Sequence, residues 1–307
     1  MTAFSGTQNA LMSAKLTLRP RGPIGAALAA VARDIFGEAR TGLADRRRPD
    51  SERIHEFRKA MKRWRALLRL LEPPIGDEAQ ALRKSARELS QSLTRTRDGQ
   101  SALDALDDVD KEESPLSPRV TANLRKRLEA MKHRRERAVL KPVLRRRLRR
   151  GLTAAERVYQ RWTLDEVDFE TIADGLTETY RRARRAIPDT WTQATAEELH
   201  ELRKRVVEHR YQMELVESLW PRFGKLWVEE TQRLRNRLGT YQDLAVLAGL
   251  AAPHRPLAPW RSRLAPAIAK RQIAHVNGAG RIAGRLFAER PKAFRQRLSA
   301  LWGSRGR

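Results

Sequence analysis

The sequence predicts an all-α protein, and three observations lead to that class. Apolar residues recur with the helical period along most of the chain, and the helix formers Leu, Ala, Arg, Glu and Gln are abundant. No convincing run of alternating apolar and polar residues indicates a strand. With 307 residues and 40% apolar content, the chain can also bury a sizeable core.

Short segments rich in Pro, Gly, Asp or Ser set the helix boundaries in order along the chain. The main breaks are "RRRPDS", "EPPIGD", "DDVDKEESPLSP", "IPDTWTQAT", "LWPRFG" and "AAPHRPLAPW". Between these breaks about eight long helices are predicted, at residues 22–45, 50–72, 77–105, 119–149, 168–187, 195–219, 224–249 and 259–288. Residues 150–167 are predicted to be further helix or a linker, and residues 1–15 a frayed tail.

The charge balance is strongly positive and indicates an anionic partner. Lys and Arg number 63 against 37 Asp and Glu, which gives a net charge of +26. The chain has no cysteine, so disulfides and thiolate metal sites are excluded, and a reducing compartment fits. Since neither a signal peptide nor a membrane-spanning stretch is visible, we expect a soluble, cytoplasmic protein.

An internal repeat relates two parts of the sequence. "IHEFRKAMKRWRALLRLLE", with its match starting at His55, resembles "LHELRKRVVEHRYQMELVE", with its match starting at His200, at an offset of 145 residues. The same offset also pairs Leu89 with Leu234 and Asp98 with Asp243, so one register spans two helices. We therefore predict two homologous halves, about residues 16–165 and 166–307. Each would be a bundle of about four helices related by a pseudo-twofold axis.

Basic residues form a narrow line on the second predicted helix. At about 100° per residue, the five side chains fall within a sector of about 80°; they are His55, Arg58, Lys62, Arg65 and Arg69. Lys59 flanks this line, and the neighbouring sector is apolar and predicted to be buried: Ile54, Phe57, Met61, Trp64, Leu68 and Leu71. Two interpretations remain open. The aliphatic parts of the Arg and Lys side chains could run along the bundle surface with their charges in water, or the line of cations could bind an anion.

The equivalent line in the second half is weaker. His200, Arg203 and Arg210 lie on it, but Val207 and Glu214 stand where the first half has Lys62 and Arg69. Other predicted helices add cations that could face the same region: Arg83, Arg87, Arg97, Arg181, Arg184 and Arg235. Any binding site should therefore be asymmetric. The run "RRRLRR" at residues 145–150 is interpreted as a solvated face or a secondary contact.

Several motifs together resemble the CHAD family, the conserved histidine α-helical domain. They are the two His-x-x-Arg-Lys copies, "YRRARR", the helix ends "LTRTRD" and "LGTYQD", and the C-terminal "GRLFAERPKAFRQRLSALW". The resemblance covers residues 16–307 as a single domain. It implies two pseudo-symmetric four-helix bundles around a basic central groove or pore, and binding of inorganic polyphosphate, with an association with polyphosphate granules.

The resemblance also implies roles for individual residues. His55 and His200 match the signature histidines, and the matching phosphate-binding residues are Arg58, Lys59, Arg65, Arg203, Lys204 and Arg210. Val207 and Glu208 depart from the family's usual basic pair, so the second copy is expected to contribute less.

The main alternative is a basic helical protein that binds nucleic acid, since positive charge alone would suit it. Aromatic residues make up only 6% of the chain and mostly occupy core positions, which leaves few for base stacking. An enzyme is not expected, because neither a phosphate-binding glycine loop nor a convincing carboxylate cluster is present. No catalytic residue, cofactor, metal or membrane partner is predicted, and His209 is predicted to be a core histidine.

Overall fold

The structure is a computed structural model that describes residues 18, 22–45, 47–93, 97–111, 116–136 and 141–304. Within these ranges the chain forms eleven α-helices and no strand. The helices are α1 (Ile24–Ala44), α2 (Asp50–Ile75), α3 (Asp77–Gln91), α4 (Arg97–Val109), α5 (Pro118–Glu136), α6 (Pro142–Tyr159), α7 (Phe169–Arg185), α8 (Ala196–Val216), α9 (Pro221–Leu250), α10 (Arg261–Leu286) and α11 (Pro291–Gly303). Among the described residues, three single-turn 3₁₀ helices lie at Trp191–Gln193, Glu217–Leu219 and Ala258–Trp260.

Local sequence signals explain where several helices begin. Thr195 and Glu198 form a reciprocal capping box at the start of α8, and Asp168 accepts a hydrogen bond from the Thr171 backbone N–H at the start of α7. Gly76 has a φ of 74°, a left-handed conformation that glycine adopts at little cost, and it separates α2 from α3. The all-α prediction is confirmed.

Two helix predictions were wrong in their boundaries. The predicted helix 77–105 is two helices, because α3 ends at Gln91 and a turn at Ser92 and Leu93 follows. The predicted helix 119–149 also divides; the second piece, α6, begins at Pro142 and runs to Tyr159, through much of the segment left open as helix or linker. Proline suits the first turn of a helix, where its missing N–H has no partner in any case.

Helix α11, which begins at Pro291, was not among the predicted helices. The predicted frayed tail, residues 1–15, lies outside the described residues. The pseudo-twofold relation between the two halves stays a prediction.

Helix α2 lies at the centre of the larger core and packs against α1, α3, α7 and α8. Its predicted apolar face is buried at every position, with Phe57 and Leu68 0% exposed. Trp64 meets Phe36 and Tyr159 in an aromatic cluster, with ring centroids 4.9 and 5.8 Å away. This packing fixes the rotation of α2 about its axis and so fixes where its basic line points.

A second apolar core joins α4 and α5 to α9 and α10 through residues such as Leu106, Leu128, Leu247 and Leu264. A buried ion pair reinforces it. Asp108 on α4 accepts hydrogen bonds from Arg271 of α10 at 3.0 and 3.1 Å. The chain thus carries α4 away from α3 and places it beside α9. No helix among the described residues is long and apolar enough to cross a membrane.

Candidate anion-binding site

A cavity of about 980 Å³, which we call the central cavity, opens between α2, α4, α5, α8 and α9. Basic side chains reach it from four of these five helices. They are His55, Arg58, Lys59 and Lys62 from α2, Lys132 from α5, Arg203 and Arg210 from α8, and Arg235 from α9. Residues far apart in sequence are therefore gathered at one concave surface.

The charge of this lining is strongly unbalanced. Seven Lys and Arg side chains face three carboxylates, those of Glu52, Asp104 and Asp243. Several neutral donors add to the cations: Gln100, Ser101, Gln232, Asn236 and Thr240. Guanidinium, ammonium, amide and hydroxyl groups all donate hydrogen bonds to anionic oxygens, so the lining suits an anion with many oxygens.

The α2 side of the cavity is positioned by the core. Because Phe57 and Trp64 are buried on one face of α2, His55, Arg58 and Lys62 project from the adjacent face. Arg58 also donates a long hydrogen bond of 3.4 Å to the backbone carbonyl of Ser90, which holds its guanidinium beside the end of α3. The first three members of the basic line therefore face the central cavity.

His55 has a perturbed proton affinity. Partial burial of the ring lowers the pKa of His55 below its ordinary value of 6.5. Glu56 acts in the opposite direction, but Lys62, Lys59 and Arg235 lower the pKa further. The imidazole is therefore mainly neutral at pH 7 when the cavity holds no anion, and a bound anion would favour its protonation.

On the α8 and α9 side, Arg203 is only 8% exposed and donates to the Gln242 side-chain carbonyl at 2.9 Å. The same amide donates through its nitrogen to Nδ1 of His200, at 2.7 Å. A Cβ at Gly239 would approach the Arg203 guanidinium to 3.4 Å, so glycine leaves room for it. Arg210 pairs with Glu214 at 2.5 Å and lies 4.8 Å from the Tyr211 ring centroid.

His200 and Lys204, although equivalent in sequence to His55 and Lys59, are not among the residues that line the central cavity. Lys204 forms an ion pair with Glu201 on its own helix. His200 is exposed beside Gln242. The second histidine therefore touches the site only through the hydrogen-bonded chain from Arg203.

Four other predicted residues form a separate group, the α2–α3 arginine cluster, made of Arg65, Arg69, Arg83 and Arg87. Burial lowers the pKa of Arg65, and Arg87 and Arg83 lower it further against the opposing effect of Glu208. Burial and Arg83 likewise lower the pKa of Arg69. Glu72 pairs with Arg69 at 2.8 Å and with Arg83 at 3.5 Å.

The donors of this cluster are incompletely used within the described residues. The Nε atoms of Arg65, Arg69 and Arg83 are buried and make no hydrogen bond there. Mutual repulsion among half-buried guanidinium groups, together with unused donors, is a cost that a bound anion would relieve.

The remaining predicted residues lie elsewhere. Arg181 and Arg184 line a different cavity at the end of α7. The side chain of Arg97 lies outside the described residues. His209 is 0% exposed and accepts a hydrogen bond from the Trp227 indole at 3.0 Å, which confirms the predicted core histidine. Its burial lowers its pKa to about 3, so it stays neutral.

Several lining residues were not in the predicted site, among them every one that α4 and α5 contribute: Gln100, Ser101 and Asp104 on α4 and Lys132 on α5. No local pattern marks them, because they reach the cavity only after α4 turns away from α3. Among the described residues, no group of three or more His, Asp or Glu side chains could hold a metal ion.

The helical fold and the cation-lined cavity define an all-α protein with a basic cavity between helices. The CHAD domain family model matches residues 26–252, so the chain belongs to the CHAD domain family, as the motifs predicted. Polyphosphate binding is a known property of that family, whose domains are generally non-catalytic binding domains.

One solved structure supports the fold directly. The crystal structure of the CHAD domain from the plant Ricinus communis has 18% sequence identity and a TM-score of 0.54, covering 93% of this chain and 95% of that chain. At this identity the likeness concerns the fold. No curated protein sequence matches the chain.

Proposed function

We propose that this protein binds inorganic polyphosphate, with the central cavity as the main site. The observation that carries the proposal is the lining of one cavity of about 980 Å³. Among the described residues, seven Lys and Arg side chains line it, against three carboxylates. Membership of a family known to bind polyphosphate supports it.

The chemistry of polyphosphate suits this lining. The chain is flexible and repetitive, with roughly one negative charge on each internal phosphate and no base or aromatic face. A site for it needs a series of point charges and forked donors. Lys59 and Lys62 supply compact charges, whereas Arg58, Arg203 and Arg235 can donate two hydrogen bonds to one phosphate group.

The other predicted residues take secondary roles in this proposal. The α2–α3 arginine cluster would bind a stretch of chain beyond the cavity. Arg203 would bind directly while Gln242 and His200 hold it in place. His55 would donate to phosphate once protonated.

A nucleic-acid ligand is less well supported. Sequence-tolerant binding of single strands generally uses several aromatic side chains on which bases stack. Of the described residues that line the central cavity, Tyr211 alone has a Phe, Tyr or Trp ring, and the Arg210 guanidinium lies against it. Positive charge alone would suit either polyanion, whereas the composition of the cavity favours an anion without bases.

We further propose a binding role without catalysis, and a cytoplasmic location at polyphosphate granules. The non-catalytic character of CHAD domains supports the first point. The excess of cations supports the second, because a granule offers a dense polyanion that would also reduce repulsion within a protein of net charge +26.

The test is a charge reversal in the cavity with a matched control. Arg58→Glu with Lys62→Glu should lower the affinity for long-chain polyphosphate at least about 100-fold at physiological salt, because two attractive contacts become repulsive. Isothermal titration calorimetry gives the affinity, and circular dichroism checks helicity.

The control reverses the same number of charges at the start of α10, in Arg261→Glu with Arg263→Glu, where both side chains are exposed. This control should lower the affinity less than about fivefold. Equal losses in the two variants would mean that net charge, and not the cavity, binds the ligand.

A further inference from the structure

We infer that the surface between the end of α7 and the start of α11 is a second phosphate-binding site that takes a stretch of the same polyphosphate chain. The inference rests on the proposed function. The structural basis is a separate cavity of about 270 Å³ lined by Arg181, Arg184, Arg185 and Pro291, which we call the α7–α11 site. Three guanidinium groups around one small cavity fit a multiply charged oxyanion.

Packing fixes the two sides of this site against each other. The Tyr180 hydroxyl donates to the Glu289 backbone carbonyl at 3.0 Å, and its ring stacks on Phe294 with centroids 4.2 Å apart. Arg184 donates through Nε to the Phe287 carbonyl, also at 3.0 Å. Its two terminal nitrogens make no hydrogen bond within the described residues and remain available to a ligand. The backbone around the site and the Arg184 side chain are therefore preorganised.

The α7–α11 site carries more positive charge than is needed to stabilise the C-terminus of α7. Cations near a helix C-terminus stabilise it by interacting with a partial charge of about −0.5. Here three arginines share the cavity, and none of the described carboxylates lines it. Arg181 pairs with Glu178, but Arg185 forms no ion pair within the described residues. Glu289, the carboxylate of the adjoining turn, is paired with Arg297.

The start of α11 adds further positive potential. Pro291 is the first residue of this helix, and Arg290 at the N-cap position makes no side-chain capping hydrogen bond. The positive end of the helix dipole therefore adjoins the same arginines. This contribution supports the arginine cluster and would not form a site without it.

Arg182 links the α7–α11 site to the rest of the proposed binding surface. It shares Glu178 with Arg181, and its charge acts on Arg69 of the α2–α3 arginine cluster. Arginines are therefore found from the central cavity, along α2 and α3, to the end of α7. A long chain held in the cavity could also occupy the α7–α11 site.

The test uses the full chain and two ligands, long-chain polyphosphate and tripolyphosphate. Arg181→Gln with Arg185→Gln removes two cations and keeps the Arg184 contact with Phe287. Arg261→Gln with Arg263→Gln, two exposed positions at the start of α10, removes the same charge elsewhere. We expect the first variant to bind long-chain polyphosphate at least about fivefold more weakly than the control variant does.

The affinity for tripolyphosphate should change less than about twofold in both variants, because the central cavity is intact. Unchanged affinity for the long chain, or equal losses in the two variants, would overturn the second site. Arg58→Glu with Lys62→Glu, measured alongside, separates the two proposals. If that variant loses binding and the α7 variant does not, only the second site fails; if neither loses binding, the central cavity fails too.

Discussion

The two helices that carry the His-x-x-Arg-Lys motif, α2 and α8, are followed by different structures. After α2 the chain forms α3, a turn, and then α4, which packs against α9 and α10. After α8 it forms the single 30-residue helix α9. Both arrangements deliver polar side chains to the central cavity, Gln100 and Asp104 from α4, and Gln232 and Arg235 from α9. Similar sequences therefore build two unequal sides of one site.

The basic lines on α2 and α8 also differ in their neighbours. Both helices pair the motif lysine with a glutamate three residues earlier, Lys59 with Glu56 and Lys204 with Glu201. On α8, however, Glu214 also pairs with Arg210, where α2 has Arg69 in place of the glutamate. Val207 stands where α2 has Lys62. The α8 side holds its arginines through internal pairs, whereas the α2 side presents more positive charge to the cavity. The motif on α8 thus positions side chains at the cavity while it contributes less positive charge than the motif on α2.

The largest stability effect should come from Asp108, which holds α4 in place through Arg271 and through His275 at 2.8 Å. Asp108→Asn should lower the free energy of unfolding by about 2 to 3 kcal/mol, because it leaves the buried Arg271 guanidinium without its carboxylate. Thermal or urea unfolding measures the change. The neighbouring Asp107→Asn is the control, since Asp107 is exposed in its pair with Arg125 and should cost less than about 1 kcal/mol.

The Asp108 contribution should also depend on pH. Burial alone would raise the pKa of Asp108, but hydrogen bonds from His275 and Arg271 hold it well below its usual value of 3.8. The stabilisation is therefore complete above that value and declines as the pH falls below it. The difference between wild type and Asp108→Asn should narrow in acid. A difference that stays constant from pH 6 to pH 3 would contradict the ion-pair explanation.

The pH dependence of polyphosphate binding, a smaller effect, should distinguish His55 from His200. The pKa of His55 is lowered in the free protein, and a bound phosphate chain should raise it, so binding takes up a proton. Affinity for polyphosphate should then increase by about threefold between pH 8 and pH 6. His55→Gln should flatten this dependence.

His200→Gln should keep most of the pH dependence, because His200 does not line the cavity. Titrations at pH 6, 7 and 8 measure both variants in a buffer of constant ionic strength. If both variants lost the pH dependence equally, the two histidines would act alike, which would contradict their different positions relative to the central cavity.

The face of α2 could be predicted from the sequence because it depends on local periodicity. The spacing of Phe57, Trp64 and Leu68 alone places His55, Arg58 and Lys62 on the adjacent side. The CHAD motifs likewise predicted the family, and the helical period of the apolar residues predicted the all-α class. These features depend on residues within a few turns of one another.

The division of the predicted site into three places could not be predicted in this way. Arg58 reaches the central cavity while Arg65 lies in the α2–α3 arginine cluster, although both belong to one line. The division depends on how α8 crosses α2, where the Gln212 amide donates to the Ala66 carbonyl at 3.0 Å. The break after Gln91 has no proline or glycine to mark it, so the placement of α4 and the role of Lys132 were equally hidden.

Competition between two polyanions tests the central claim most directly. Labelled long-chain polyphosphate is bound to the protein at physiological salt, and unlabelled polyphosphate or duplex DNA is added at matched phosphate concentration. A site without base-stacking platforms should release the label to polyphosphate at a concentration at least about tenfold lower than to DNA. Equal displacement by DNA would contradict a dedicated polyphosphate site and would leave binding driven by net charge alone.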